Sequence, residues 1–190
     1  MISIESLVGN DPVFATTDRL VLKRVSAEDR NDYLRVNTFM SIGLGDDRKK
    51  FEDACWERVC NGPDIMFSIF EKATGDYAGN CQYILGDTEL IELGITLDEA
   101  FQHKGYGYEV SSALVVAALN RTPVPFVVWR TRRMNKASQR LAEHLGGILV
   151  EVKPAFGSDE CHQIENESVS NPLLDVLTYH IERMGSYGTV

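Results

Sequence analysis

Long apolar runs are missing from this chain of 190 residues. None approaches the ~20 residues that a membrane-spanning helix needs, so no membrane partner is expected. A basic excess is missing too. Lys and Arg number 19 against 28 Asp and Glu, a formal net charge of −9, which argues against a general nucleic-acid binder. An acidic surface suits a cationic substrate, and it also serves solubility. Cysteine is scarce: Cys55, Cys60, Cys81 and Cys161, none in a CxxC pair. That usage reads as reduced, structural thiols in a cytoplasmic protein. The four histidines (His103, His144, His162, His180) are scattered, and Cys161-His162 is the one close Cys/His pair, so no metal site is expected. Met1-Ile2-Ser3-Ile4-Glu5 lacks a basic stretch followed by an apolar one, and no signal peptide is expected. Internal repeats and linkers are absent as well. What remains is ordinary for a soluble globular protein, with 44% hydrophobic and 25% charged residues. The length suits one domain over 1–190, with 1–13 as an irregular arm.

The periodicities define the elements. Leu20 to Val25 reads as a strand, and Ser26-Ala27-Glu28-Asp29 as a helix N-cap with acidic residues in the first turn. Gly43 and Gly45 end that helix. A second helix is predicted from about Asp47 to Val59, with Phe51, Cys55 and Val59 at helical spacing. Ile65 to Phe70 and Tyr77 to Leu85, joined through Gly75, form a hairpin, and Glu89 to Leu97 adds a third antiparallel strand. An apolar helix follows from Val110 to Leu119, then a strand from Phe126 to Trp129. Asn135 is placed to cap another helix, in which Ser138, Leu141, Ala142 and Leu145 share a face, and Gly146-Gly147 ends it. Strands at Ile148 to Val152 and Val176 to Ile181 flank a polar segment, 153–172. The sum is one α+β domain with a mixed, mostly antiparallel sheet flanked by helices.

Between the third strand and the apolar helix lies Gln102-His103-Lys104-Gly105-Tyr106-Gly107-Tyr108-Glu109. Strand, Gly-containing turn and helix start together suit an anion. The helix N-terminus carries unpaired N–H groups and partial positive charge. Gly105 and Gly107 let a phosphate approach the backbone. No Lys-Ser/Thr pair follows, so this is not a Walker-type loop. Val110 stands where a dinucleotide fingerprint has its third Gly. Backbone N–H groups from about Lys104 to Tyr108 can still hold a pyrophosphate. A plain nucleotide-phosphate binder is one reading of the loop alone.

Four stretches in order resemble the GNAT acyltransferase superfamily, in particular its RimJ/RimL-like branch. Thr17-Asp18-Arg19-Leu20-Val21-Leu22-Lys23, with Ala27-Glu28-Asp29, looks like that branch's first strand and helix. Gly94-Ile95-Thr96-Leu97 through Glu109 looks like its coenzyme-A loop. Asn135-Lys136-Ala137-Ser138 through Gly146-Gly147 looks like its Asn-x-x-Ser helix, and Asp175 to Tyr179 like its last strand. The resemblance covers residues 14–184. It departs at Ile148, where the aromatic usual after that helix is missing, and in the longer 153–172 segment.

The resemblance implies the GNAT fold, with strands splayed at the coenzyme site, and acetyl-coenzyme A as co-substrate without a metal. The loop (Gln102, His103, Lys104, Gly105, Tyr106, Gly107, Tyr108) would hold the pyrophosphate. Backbone groups of Ile95 and Leu97 would take the pantetheine amides and the thioester oxygen, between strands parting after Leu97. Asn135 would bond the pantetheine arm. Ser138 would protonate or bond the departing thiolate, since Ala142 occupies the position where many relatives carry a Tyr. Glu92 is the first candidate base and Glu160 the second. Glu92 lies opposite the face shared by Ile91, Leu93, Ile95 and Leu97, and the other reading of it is a solvated residue. Arg130, Arg132, Arg133, Lys136 and Arg140 form a basic cluster that would meet the 3′-phosphate or simply be solvated. Glu109 would support the loop. The implied activity is N-acetylation of a primary amine, on a small molecule or a protein N-terminus, by direct transfer in a monomer or homodimer. A silent acyl-coenzyme-A-binding module is the alternative.

Overall fold

The computed structural model describes residues 4–85, 90–154 and 172–183. Eight strands form one sheet in the order β1-β2-β3-β4-β5-β6-β8-β7. They are β1 (Val13–Thr16), β2 (Leu20–Arg24), β3 (Ile65–Glu71), β4 (Tyr77–Ile84), β5 (Ile91–Leu97), β6 (Phe126–Arg132), β7 (Ile148–Lys153) and β8 (Val176–Glu182). β1 to β5 are antiparallel neighbours, with a long helical connection, residues 25–64, between β2 and β3. β5 and β6 are parallel, so the chain needs a crossover, and α4 (Tyr106–Arg121) supplies it.

The apolar stripe of α4 explains its place. Val110, Leu114, Val115, Ala118 and Leu119 are buried against the sheet. Each large aliphatic side chain so covered contributes about 1.5–3 kcal/mol. On the same face, the side chains of Ile91 and Leu93 from β5 and of Cys81 and Tyr83 from β4 complete the core. Tyr83 keeps its hydroxyl satisfied there by donating to the Leu114 carbonyl at 2.8 Å. Burial raises the Cys81 thiol far above its ordinary pKa, in keeping with a structural role. Ala142 of α5 (Lys136–His144) joins this core. The opposite face carries α2 (Arg30–Val36) and α3 (Arg48–Asn61), linked by contact of the Tyr33 and Trp56 rings at 5.6 Å. α3 has no fully buried residue and lies at the surface. Ser26 and Asp29 close the start of α2 as expected, the Ser26 N–H donating to the Asp29 carboxylate at 2.8 Å.

The irregular arm expected over 1–13 is not what the described residues show. Ile4–Val8 form a short helix, α1, and Val13–Thr16 pair with β2 as the edge strand β1. Leu7, Val8 and Phe14 are buried in the main core. Phe14 stacks on Phe67 at 4.4 Å and takes the Arg121 guanidinium over its other side at 5.2 Å. Five- and four-residue elements show too little period to be recognised in a sequence, and their order here comes from tertiary burial. β6 also runs three residues beyond the expected Trp129, because β8 pairs with it as far as Arg132.

Candidate active site

The site is built where β5 and β6 part. Their pairing runs Ile91–Val127, Glu92–Val128, Leu93–Trp129 and stops there. Beyond it β5 continues to Leu97 beside β4, and β6 continues to Arg132 beside β8. The fork therefore opens after Leu93, four residues earlier than Leu97. The Asp98 N–H donates to the Ala78 carbonyl, which fixes the alternation along β5. Even-numbered residues bond to β4. Ile95 and Leu97 direct their N–H and C=O groups into the fork.

At the wide end of the fork stands the N-terminus of α4. The first intrahelical bond there is from the Glu109 N–H to the Gly105 carbonyl, so Tyr106, Gly107 and Tyr108 offer N–H groups with no acceptor in the helix. Gly105 has φ +80°, and His103 before it has φ 59°. A Cβ on Gly107 would meet Leu141 of α5 at 3.4 Å and Leu97 of β5 at 3.9 Å, which places this turn directly over the fork. Gln102 and Lys104 are exposed. Gln102 turns its amide back to the Leu97 carbonyl at 2.9 Å and ties the loop to the strand end.

A brace holds the loop from below. Glu109 accepts from Thr17 Oγ1 at 2.6 Å, from the Arg19 N–H at 2.8 Å and from Arg19 Nε at 2.7 Å. Arg19 in turn donates to the Lys104 carbonyl at 2.8 Å and lies over the Tyr106 ring at 4.5 Å. Burial alone would raise the Glu109 carboxyl, but the Thr17 and Arg19 hydrogen bonds and the Arg19 charge outweigh it, and its pKa is lowered. Tyr106 is buried, with its hydroxyl donating to Glu71 at 2.5 Å. Its side chain anchors the loop to β3, so only its backbone is left for a ligand. The resemblance pointed to Glu109 as a support. Spacing could not reveal Arg19, which lies 90 residues away.

Ser138 sits where the fork begins. The indole N–H of Trp129, the last β6 residue paired with β5, donates to Ser138 Oγ at 2.9 Å. A buried indole N–H requires an acceptor, and that bond leaves the Ser138 proton to be given elsewhere. Asn135 Oδ1 accepts from the Ser138 N–H at 3.0 Å, the expected N-cap.

The carboxylates lie differently. Glu92 points to the face away from α4 and forms an ion pair with Arg130 at 2.5 Å, its side chain 19% exposed. It is thus partly covered and not a solvated residue, but it lies before the fork, at the level where β5 and β6 still pair. Glu160 lies outside the described residues. The basic cluster is divided among other partners. Arg130 pairs with Glu92, Arg132 donates to the Leu174 carbonyl, and Arg133 pairs with Asp175. Lys136 and Arg140 stay on the exposed side of α5. Alternation sends Arg130 and Arg132 to the face opposite α4, which a linear cluster cannot show. Among the described residues no three His, Cys, Asp or Glu side chains converge as metal ligands, and no helix is long and apolar enough to cross a membrane.

A family model described as an acetyltransferase (GNAT) domain matches residues 19–148. The chain belongs to the GNAT acetyltransferase family. It is an enzyme of that type, with the family's mixed sheet and flanking helices. Solved structures of other GNAT enzymes superpose over most of its length. A GNAT-family acetyltransferase from Bacillus anthracis is 16% identical, with 88% of this chain and 96% of that one covered and a TM-score of 0.65. The spermidine N-acetyltransferase of Vibrio cholerae, in complex with CoA and spermine, is 13% identical, with 86% and 95% covered and a TM-score of 0.64. The Salmonella typhimurium acetyl transferase that modifies the N-terminal serine of ribosomal protein L7/L12 is 19% identical, with 88% and 96% covered and a TM-score of 0.61. At these identities the likeness speaks for the fold. None of the curated proteins compared with the chain matches it.

Proposed function

We propose that this GNAT enzyme transfers an acetyl group from acetyl-coenzyme A to a primary amine, on a small molecule or a protein N-terminus, by direct attack in a ternary complex. The observation that carries the reading is the fork that opens after Leu93 and Trp129, with a helix N-terminus at its wide end and a serine hydroxyl at its apex. Acetyl-coenzyme A supplies the activated acyl group as a thioester. The N–H groups of Tyr106, Gly107 and Tyr108, with the Lys104 ammonium, suit its pyrophosphate. The backbone of Ile95 and Leu97 suits its amide arm and thioester oxygen, where a fixed N–H stabilises the negative charge that develops. Asn135, its Oδ1 occupied as a cap, keeps an amide N–H₂ for the same arm. Ser138 gives its proton to the departing thiolate, with Trp129 holding the hydroxyl in place. An α-amine, with pKa ~8, is partly neutral near pH 7, so a modest proton acceptor suffices; a lysine, with pKa ~10.4, demands more. Glu92, the one carboxylate on β5, is held by Arg130 before the fork opens, and it could take that role only by giving up this pair.

The test is release of free thiol from acetyl-coenzyme A, with spermidine and with a seryl-terminated peptide as acceptors. Acceptor-dependent release is expected. Tight binding of coenzyme A without release across a broad amine panel would mark a silent binding module. Equal thermal protection by ATP and by coenzyme A would mark a general phosphate binder.

A further inference from the structure

On the sheet face beneath α2, two buried polar atoms have no partner: Tyr77 Oη and Asn80 Nδ2. Both residues are 5% exposed. Each such atom carries an uncompensated desolvation cost, so a fold that keeps two side by side invites an explanation.

They are side by side by construction. Residues three apart on a regular strand face opposite ways. Here Ile69 pairs with Gly79 while Phe70 pairs with Tyr77, so Ala78 is extra and the strand bulges. The bulge turns Tyr77 to the face of Asn80, as such features do beside active sites. Gly79 makes it feasible. Its φ is +152°, and a Cβ there would lie 2.2 Å from the Thr96 carbonyl.

The register extends the group in both directions. Ser68, Asn80 and Thr96 are direct cross-strand partners, one row across β3, β4 and β5. At ~4.8 Å per strand the row spans about 10 Å. One end, Thr96, lies in the part of β5 that lines the fork. At the other end Ser68 Oγ donates to the Asp29 carboxylate at 2.9 Å. Ser68 and Asn80 lie close enough to the Tyr77 hydroxyl to ease its ionisation, with Asp29 and Tyr33 opposing it, although neither Ser68 nor Asn80 reaches hydrogen-bond geometry. Burial dominates and raises the phenol's pKa. Tyr77 therefore stays protonated and can only pass a hydrogen bond along.

We propose that Tyr77, Asn80 and Ser68 enclose a buried water site that carries the acceptor amine's proton from Thr96, at the fork, to Asp29. The inference rests on the acyl-transfer reading above. The acceptor, arriving as an ammonium, gives one proton along the row to Asp29, which returns it to solvent. The free amine then forms the N–C bond as the C–S bond breaks. The thiolate takes the Ser138 proton, and the second amine proton restores the serine. The sum is an amide, a free thiol and one proton released.

Two experiments decide it. A high-resolution crystal structure of the wild-type protein is expected to show an ordered water bonded to Tyr77 Oη and Asn80 Nδ2, and a dry site overturns the proposal. Thiol release is then measured with spermidine and a seryl-terminated peptide for the wild type and for Tyr77→Phe, Asn80→Leu and Glu92→Gln. Because Tyr77 Oη has no protein partner, Tyr77→Phe is expected to keep or raise Tm; in both Tyr77→Phe and Asn80→Leu kcat is expected to fall at least about tenfold, with KM for acetyl-coenzyme A unchanged. Glu92→Gln is expected to lose less than either. Wild-type kcat in Tyr77→Phe overturns the relay and leaves the acetyltransferase reading intact. A wild type that releases no thiol with either acceptor overturns the relay together with that reading.

Discussion

Arg19 acts on three groups at once. Its fork holds the Glu109 carboxylate and the Lys104 carbonyl, and its plane covers the Tyr106 ring. Pulling the Lys104 carbonyl down keeps it from facing an anion above the loop, where the N–H groups converge. A lysine cannot reproduce that fork. Arg19→Lys is expected to weaken coenzyme A binding about tenfold, or about 1.4 kcal/mol, as read by calorimetry, with kcat little changed. The other half of the brace has a pH signature. The folded-state pKa of Glu109 is lowered, so its contribution to stability is present above the unfolded value and is lost as pH falls through the folded one. Glu109→Gln should therefore lower Tm at about pH 7, and the gap to the wild type should close as pH falls below the usual carboxylate range. Gly105→Ala forces a side chain to φ +80° and should cost about 1–2 kcal/mol in denaturant titrations.

Among the elements, α5 combines a structural and a chemical assignment in one residue. Asn135 caps it through Oδ1, and its remaining amide is proposed to meet the coenzyme. The two roles separate by substitution. Asn135→Ser keeps a capping oxygen and should preserve Tm while raising KM for acetyl-coenzyme A. Asn135→Ala should also lose about 1 kcal/mol of stability. The cap was legible because capping is local: an Asn before an apolar helical stripe. The bulge in β4 was not. Gly79 looks like any strand glycine until β5 is beside it, since the clash that forbids a Cβ is with Thr96 of another strand. The same holds for Trp129 and Ser138, whose bond depends on the turn between β6 and α5.

For the whole molecule, the described residues before β2, 4–16, belong to the fold. Phe14 lies between Phe67 and Arg121 in the main core and edges against Tyr83. Phe14→Ala is expected to destabilise the entire domain by about 3–5 kcal/mol in a single cooperative transition, and two separated transitions would show that the first hairpin is independent of the rest.

The helix and strand periods, the three-stranded meander, the anion-suited turn at Gly105 and the cap at Asn135 are legible in the order of residues alone. Each is written in neighbours along the chain, where backbone geometry and hydrophobic alternation act. Where β5 and β6 part, which arginine grips the loop, which cations are already paired and which face Tyr77 turns to emerge with the folded sheet. These depend on contacts between distant segments, and a contact of that kind is chosen by the burial and register of the whole sheet, which no local pattern encodes.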